Sequence, residues 1–167
     1  TIAFGTKVVA GDVYHEGIRN VSAADIRMAQ RLGYVIKLLA IAELERSDGS
    51  VSVRVHPAMV PAHHPLASVR DSFNAVFVEG SSVLGDVIDA AVNLRLGTHG
   101  SLGTLGKAII RPIDETSAEY LVSLEVIDRP GVLHAVTGVF ARHSVSIRAA
   151  EQEGIGEDAR LVFITHV

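Results

Sequence analysis

From Tyr120 to Ile127 the chain alternates: Tyr120, Val122, Leu124 and Val126 point to one side, and Leu121, Ser123, Glu125 and Ile127 to the other. That period predicts a strand. At Val132 the spacing becomes helical, with Val132, Val136, Val139 and Phe140 on one face and Leu133 at its edge. The turn between them reads Asp128-Arg129-Pro130-Gly131. Asp128 is placed to accept bonds from the first free amides of the helix, and Pro130 suits its first turn. Gly131 leaves room for another molecule to approach the backbone. Unpaired amides and the helix dipole at such a start both favour a small carboxylate. Two more strands, Val145–Ala150 and Arg160–His166, follow around Glu153–Asp158. The order is β-α-β-β, a helix on one face of an antiparallel sheet in an α+β arrangement.

The earlier part of the chain patterns differently. Ser22 reads as a helix N-cap with Asp25 three residues on, and Ile26, Ala29 and Leu32 form a modest apolar stripe that Gly33 stops. Tyr34–Leu44 is apolar and rich in branched residues, Ser47–Ser50 is a turn, and Val51–His56 alternates again, which predicts a β-hairpin. Pro57, Pro61 and Pro65 argue against a central strand in the next stretch. Asn74–Glu79 has the pattern of a short strand. Val83, Leu84, Val87, Ile88, Ala91 and Leu94 define a helix that Ser82 could cap. Gly97, Gly100, Gly103 and Gly106 mark a linker. The expected division is therefore residues 1–96, a linker at 97–117, and a second unit at 118–167.

Composition narrows the function classes. Apolar residues make up 48% of the 167 positions and charged residues 20%, enough for a packed core. A net charge of -4 without a basic run argues against nucleic acid as a partner. The absence of cysteine excludes a disulfide scaffold, a thiol nucleophile and a cysteine zinc site, and it fits a reducing cytoplasm, the expected location. No apolar stretch reaches the ~20 residues that span a bilayer. The opening T-I-A-F-G-T-K is not a signal peptide and has no initiator Met; it resembles the end of an apolar helix and suggests a piece of a longer protein.

Several catalytic patterns fail on detail. His56, His63 and His64 share a Pro-rich stretch, but no Asp or Glu falls between Ala58 and Arg70 and the H-E-x-x-H spacing is absent, so backbone- or water-bonded histidines are the better reading than zinc. The run ending G-T-L-G-K lacks the Gly five residues before Gly106, where Ser101 stands, and the Ser or Thr after Lys107, where Ala108 stands. No G-x-G-x-x-G follows a strand, and no G-x-S-x-G is present. Asp86 and Asp89 read as the polar side of a helix, and Arg54 and Lys37 as surface cations with buried stems. No metal site, catalytic residue or cofactor-binding residue is expected in this chain.

The stretch Y-L-V-S-L-E-V-I-D-R-P-G-V-L-H-A-V-T-G-V-F-A-R-H-S-V-S-I resembles the opening of an ACT domain. The resemblance implies amino-acid binding at an interface between copies, with the D-R-P-G-V-L turn as the ligand loop. The candidate regulatory residues are Asp128, Pro130, Gly131, Val132, Leu133 and Ser146; family members often carry Asn where Ser146 stands. The last helix and strand of a complete ferredoxin-like unit are not represented, which would leave one apolar face and one sheet edge for a partner or further residues to cover.

The first unit, through A-F-G-T-K-V-V-A-G-D-V-Y-H-E-G-I, L-G-Y-V-I-K-L-L-A-I-A, V-H-P-A-M-V-P-A-H-H-P-L-A-S-V-R-D-S-F-N-A-V-F-V-E-G and V-L-G-D-V-I-D-A-A, resembles bacterial homoserine dehydrogenase. Here Gly80 runs almost directly into Ser82, where that family has a Gly-rich loop. The resemblance implies an enzyme that reduces aspartate semialdehyde to homoserine with NADP or NAD as cofactor, on the route to threonine, methionine and isoleucine. It also implies that the Rossmann domain and the catalytic residues precede this segment. The chain would then supply part of the substrate/dimerisation domain and an incomplete ACT domain. It would form a homo-oligomer, at least a dimer, and respond to an effector amino acid, threonine first. The rival readings are a stand-alone ACT-type amino-acid-binding regulatory protein and, last, a histidine-based metallohydrolase.

Overall fold

The computed structural model describes residues 3–71, 73–80 and 105–166. The chain forms two compact units, Thr1–Ile113 and Asp114–Val167, in an α+β architecture.

In the first unit, helix α1 (Ala23–Arg31) begins at a capping box. The Ser22 hydroxyl accepts from the Asp25 amide at 3.2 Å, and Asp25 Oδ2 accepts from the Ser22 amide at 2.8 Å. Gly33, at φ 82°, turns the chain out of the helix as expected. The apolar stripe is shifted from the expected one. Met28 and Ala29 are the buried residues and Ile26 is 44% exposed, because the helix presents this side to strand β2.

The hairpin is longer than its alternation indicates. Strand β2 (Tyr34–Leu44) pairs antiparallel with β3 (Val51–Pro61), and β1 (Tyr14–His15) adds to β3 in parallel, giving the order β1-β3-β2. Thus β3 is central and runs through Pro57, contrary to the expectation from its prolines. Backbone direction explains the tolerance. The Val55 carbonyl accepts from the Glu16 amide at 2.7 Å on the β1 side, whereas the Ser50 carbonyl accepts from the Glu45 amide at 2.8 Å on the β2 side. Odd-numbered residues of β3 therefore turn their peptide groups away from β2. Pro57 and Pro61 are odd-numbered, so their missing N–H groups subtract nothing from the β2–β3 ladder. β1 reaches only Arg54 and Val55, which leaves this side of Pro57–Pro61 unpaired among the described residues.

Asn74–Glu79 does not form the expected strand. No ladder partner exists for it among the described residues, and a strand needs one to satisfy its amides. Its apolar side chains are exposed, Val76 at 89% and Val78 at 62%. The expected helix at Val83–Leu94, and Gly97, Gly100 and Gly103, lie outside the described residues. Residues 106–111 pair with the first unit at two places. The Lys7 amide donates to the Gly106 carbonyl at 2.8 Å, and Val51 donates to the Ile109 carbonyl at 2.7 Å and accepts from the Arg111 amide at 3.0 Å.

The second unit has the expected β-α-β-β order: β4 (Tyr120–Val126), α2 (Val132–Arg142), β5 (Ser146–Glu153) and β6 (Ala159–His166). The sheet order is β4-β6-β5, with β6 antiparallel to both neighbours. Its central strand carries the core: Leu161, Val162, Phe163 and Ile164 are all buried. The Phe140 ring of α2 meets Phe163 edge to face, centroids 5.1 Å apart, so the side of the sheet bearing Phe163 is the helix side. Val139, expected on the apolar face, is 43% exposed. A helix that packs through a narrow strip covers Val132, Val136 and Phe140 better than a residue at the strip's margin.

Candidate functional site

The turn entering α2 is built by Pro130 and Gly131. The Val132 amide donates to the Arg129 carbonyl at 3.3 Å, and Gly131 has φ 93° and ψ -11°. Pro at the first central position and a positive-φ Gly at the second define a type II turn. Gly131 is therefore required by the turn itself; a Cβ at this position would also meet nothing within 4 Å, so the approach to the backbone is open.

Asp128 does not cap α2. The N-cap position is Gly131, with no side-chain cap. Asp128 Oδ1 instead accepts from Gln152 Nε2 on β5 at 3.0 Å, and the Asp128 amide donates to the Gly156 carbonyl at 2.7 Å. The reason is proximity: β4 and β5 both run antiparallel to β6, and so in the same direction as each other, which brings the loop leaving β4 to the same end of the sheet as the β5–β6 connection. The amides of Leu133 and His134 meet no acceptor among the described residues, as expected for the second and third residues of an uncapped helix.

Of the candidate regulatory residues, Asp128, Pro130, Gly131, Val132 and Leu133 are gathered in this loop and first turn. Ser146 is not with them. It pairs with His166 at the start of β5, while Gln152 pairs with Leu161 near the other end. Six residue steps of strand separate them, roughly 20 Å at ~3.3 Å per residue. Nothing local in the sequence marks Gln152, whose bond reaches 24 positions back along the chain.

In the first unit Arg54, Lys37, His56 and His64 each have a partner within the protein. Arg54 is not a surface cation. It is 7% exposed, its Nη1 lies 2.7 Å from Glu43 Oε2, and it donates to Ser52 Oγ at 3.0 Å. Lys37 Nζ donates to the Val69 carbonyl at 2.6 Å. His56 Nδ1 lies 2.9 Å from the Pro57 carbonyl, and His64 Nδ1 accepts from the Leu66 amide at 3.1 Å while its ring meets Phe77. Among the described residues no group of three or more His, Asp or Glu side chains is placed to hold a metal ion. No helix there is long and apolar enough to cross a membrane. The only parallel pairing among the named strands is the two-residue β1–β3 ladder, so no βαβ crossover for a dinucleotide is present among the described residues.

At the β2–β3 turn, Glu45 is held below the usual carboxylate range chiefly by the Ser47 backbone amide, and Asp48 chiefly by that of Ser50. The Arg111 guanidinium adds to both, 3.6 Å from Glu45 and 3.9 Å from Asp48.

Comparisons with known proteins agree with this architecture. The homoserine dehydrogenase family profile matches residues 1–91, and the ACT domain profile matches residues 120–167. The homoserine dehydrogenase of Corynebacterium glutamicum is 42% identical over 99% of this chain and 42% of its own length. That of Mycobacterium tuberculosis is 41% identical over 100% of the chain and 44% of its own length. The crystal structure of a homoserine dehydrogenase from Thiobacillus denitrificans, at 30% identity, superposes with a TM-score of 0.79 over 99% of this chain and 43% of that one. A Staphylococcus aureus homoserine dehydrogenase, at 22% identity and a TM-score of 0.64, shares the fold. The chain thus spans less than half the length of the relatives it matches. The aligned regions run over 189 and 196 positions in the first two, more than the 167 residues here, so within that span the relatives carry residues this chain lacks. With the family profile covering more than half of its residues, this chain belongs to the homoserine dehydrogenase family.

Proposed function

We propose that this chain is part of an enzyme that reduces aspartate semialdehyde to homoserine with NADPH or NADH in the cytoplasm, and that its own contribution is assembly and amino-acid response. The observation that carries the reading is the match to homoserine dehydrogenases over 99% of the chain, joined to an ACT profile at 120–167. Hydride transfer belongs to the nicotinamide, which needs a nucleotide-binding fold to position it; the described residues offer none, so no catalytic step is assigned to them.

Assembly is supported by open sheet edges. Pro57 and Pro61 blunt the outer side of β3, and among the described residues the outer edge of β2 has no strand beside it, which leaves it to pair with a second copy. In the second unit both β4 and β5 are edge strands among the described residues. A pocket that uses Asp128 and Ser146 together must take them from two copies, because one chain holds them at opposite ends of its sheet.

The effector is an α-amino acid, threonine first. Its carboxylate meets the amides of the first turn of α2, beside Gly131, where the helix dipole favours negative charge. An effector acts by unequal affinity for two conformations, a coupling of about 1–3 kcal/mol.

Amide chemical shifts during a threonine titration test the placement. Changes should concentrate at residues 128–134; saturable changes that bypass this loop would reject the site. Gly131→Val is a poor probe, since its φ of 93° makes any branched side chain distort the turn. The chain alone should not oxidise NADPH in the presence of aspartate semialdehyde, and steady turnover would overturn the division of labour.

A further inference from the structure

We propose that Gln152 is a positioning residue for the ligand loop: it holds the Asp128 carboxylate off the start of α2, where that carboxylate recognises the α-ammonium group of the bound amino acid. The proposal rests on the effector reading above and adds a residue and a recognition role to it.

An aspartate three residues before a helix N-cap glycine has two uses for its carboxylate. It can swing onto the open amides of the first turn, or it can be held elsewhere. Here it is held elsewhere. Both polar ends of Asp128 are tied to the β5–β6 hairpin, the side chain by Gln152 Nε2 at 3.0 Å and the backbone amide by the Gly156 carbonyl at 2.7 Å. The hairpin connection folds closely on itself at Gly154. A Cβ on Gly154 would lie 2.8 Å from the Asp158 carbonyl oxygen, and Gly154 and Gly156 both have positive φ, at 77° and 73°. Gln152 pairs with Leu161, two residues from Phe163 on β6, so it stands on the helix side of the sheet.

The arrangement separates two charges that a zwitterionic ligand needs separated. Were Asp128 to cap α2, it would occupy the amides and repel the ligand's carboxylate. Fixed by Gln152, it leaves those amides free and keeps the rest of its acceptor capacity, about three of four lone-pair sites, for an ammonium group. Fixing the acceptor beforehand also removes the ordering cost from the binding step.

The test uses the whole 167-residue chain with two probes, threonine and 3-hydroxybutyrate, which differ by the α-amino group. Calorimetry should show the wild type preferring threonine at least tenfold. Gln152→Leu and Gln152→Glu should cut that preference below threefold, through weaker threonine binding, with the circular dichroism spectrum unchanged. A merely structural role would weaken both probes alike and leave the preference intact. An unchanged preference in a folded Gln152 variant overturns the proposal, and Gln152→Glu serves if Gln152→Leu does not fold. A wild type that binds threonine without preferring it over 3-hydroxybutyrate overturns it as well. A wild type that binds neither probe removes the effector reading itself, and this proposal with it.

Discussion

The guanidinium of Arg54 is buried in the centre of the first sheet and reaches diagonally across the β2–β3 ladder to Glu43, 2.7 Å away. Glu43 itself is half in water, its side chain 57% exposed, whereas that of Arg54 is 8% exposed. The pair is therefore asymmetric. Losing the exposed partner strands the buried charge; losing both removes the desolvation cost as well.

Glu43→Ala should accordingly destabilise the first unit by about 1–3 kcal/mol, the cost of leaving a mostly buried cation with Ser52 as its one remaining side-chain hydrogen-bond partner among the described residues. Glu43→Ala combined with Arg54→Met should recover most of that loss. Urea unfolding of the two single variants and the double variant measures the coupling; additive losses would show that the pair does not act as a unit.

The acidic turn gives a pH dependence with a definite sign. Glu45 and Asp48 are depressed below their ordinary values of 4.5 and 3.8, first by the backbone amides of Ser47 and Ser50 and then by Arg111. A carboxylate depressed in the folded state stabilises it above the ordinary value and stops doing so as pH falls through the folded value. The turn should thus lose its contribution below about pH 4.5, and Glu45→Gln with Asp48→Asn should flatten the acid limb of stability against pH. Parallel acid limbs for wild type and double variant would count against this account.

Helix α1 offers a simpler check. Ser22 accepts the Asp25 amide and also donates its hydroxyl to Asp25 Oδ2 at 2.7 Å. Ser22→Ala should cost about 1 kcal/mol and Ser22→Gly only a few tenths, because glycine still adopts the cap conformation. Thermal unfolding that ranks the two in the opposite order would show that the cap is not what Ser22 contributes.

What could be read from the chain, and what could not, follows the range of each interaction. Ser22 with Asp25, Gly33, the Ser47–Ser50 turn and the change of period at Asp128–Val132 are local, and each appears in the structure where the pattern places it. Arg54 as a buried ion pair, Gln152 as the partner of Asp128, and the pairing of residues 106–111 with Lys7 and Val51 depend on groups far along the chain. A Gly-rich composition reads as a linker whether or not its end joins a sheet. The loop residues Asp128–Leu133 were legible as a cluster because they are contiguous. Ser146 joins them by resemblance alone, and its distance along β5 is a property of the sheet.

Proline placement in β3 supplies the strictest test of register. Pro57 and Pro61 stand opposite Leu38 and Tyr34, and Ala58 stands opposite Lys37. Odd-numbered residues of β3 face away from β2 and even-numbered ones face it, so Ala58 donates its amide into the ladder while its proline neighbour loses nothing. Ala58→Pro should therefore cost about 3 kcal/mol or more, from one ladder hydrogen bond and the ring's clash with the paired strand. Pro57→Ala should change stability by less than about 1 kcal/mol, since it adds an amide only to the side away from β2. That added amide lies on the open edge, so Pro57→Ala with Pro61→Ala should self-associate more readily than the wild type as concentration rises. Urea unfolding together with sedimentation velocity distinguishes the outcomes. Equal destabilisation by Ala58→Pro and Pro57→Ala would mean that the ladder register is not the one described.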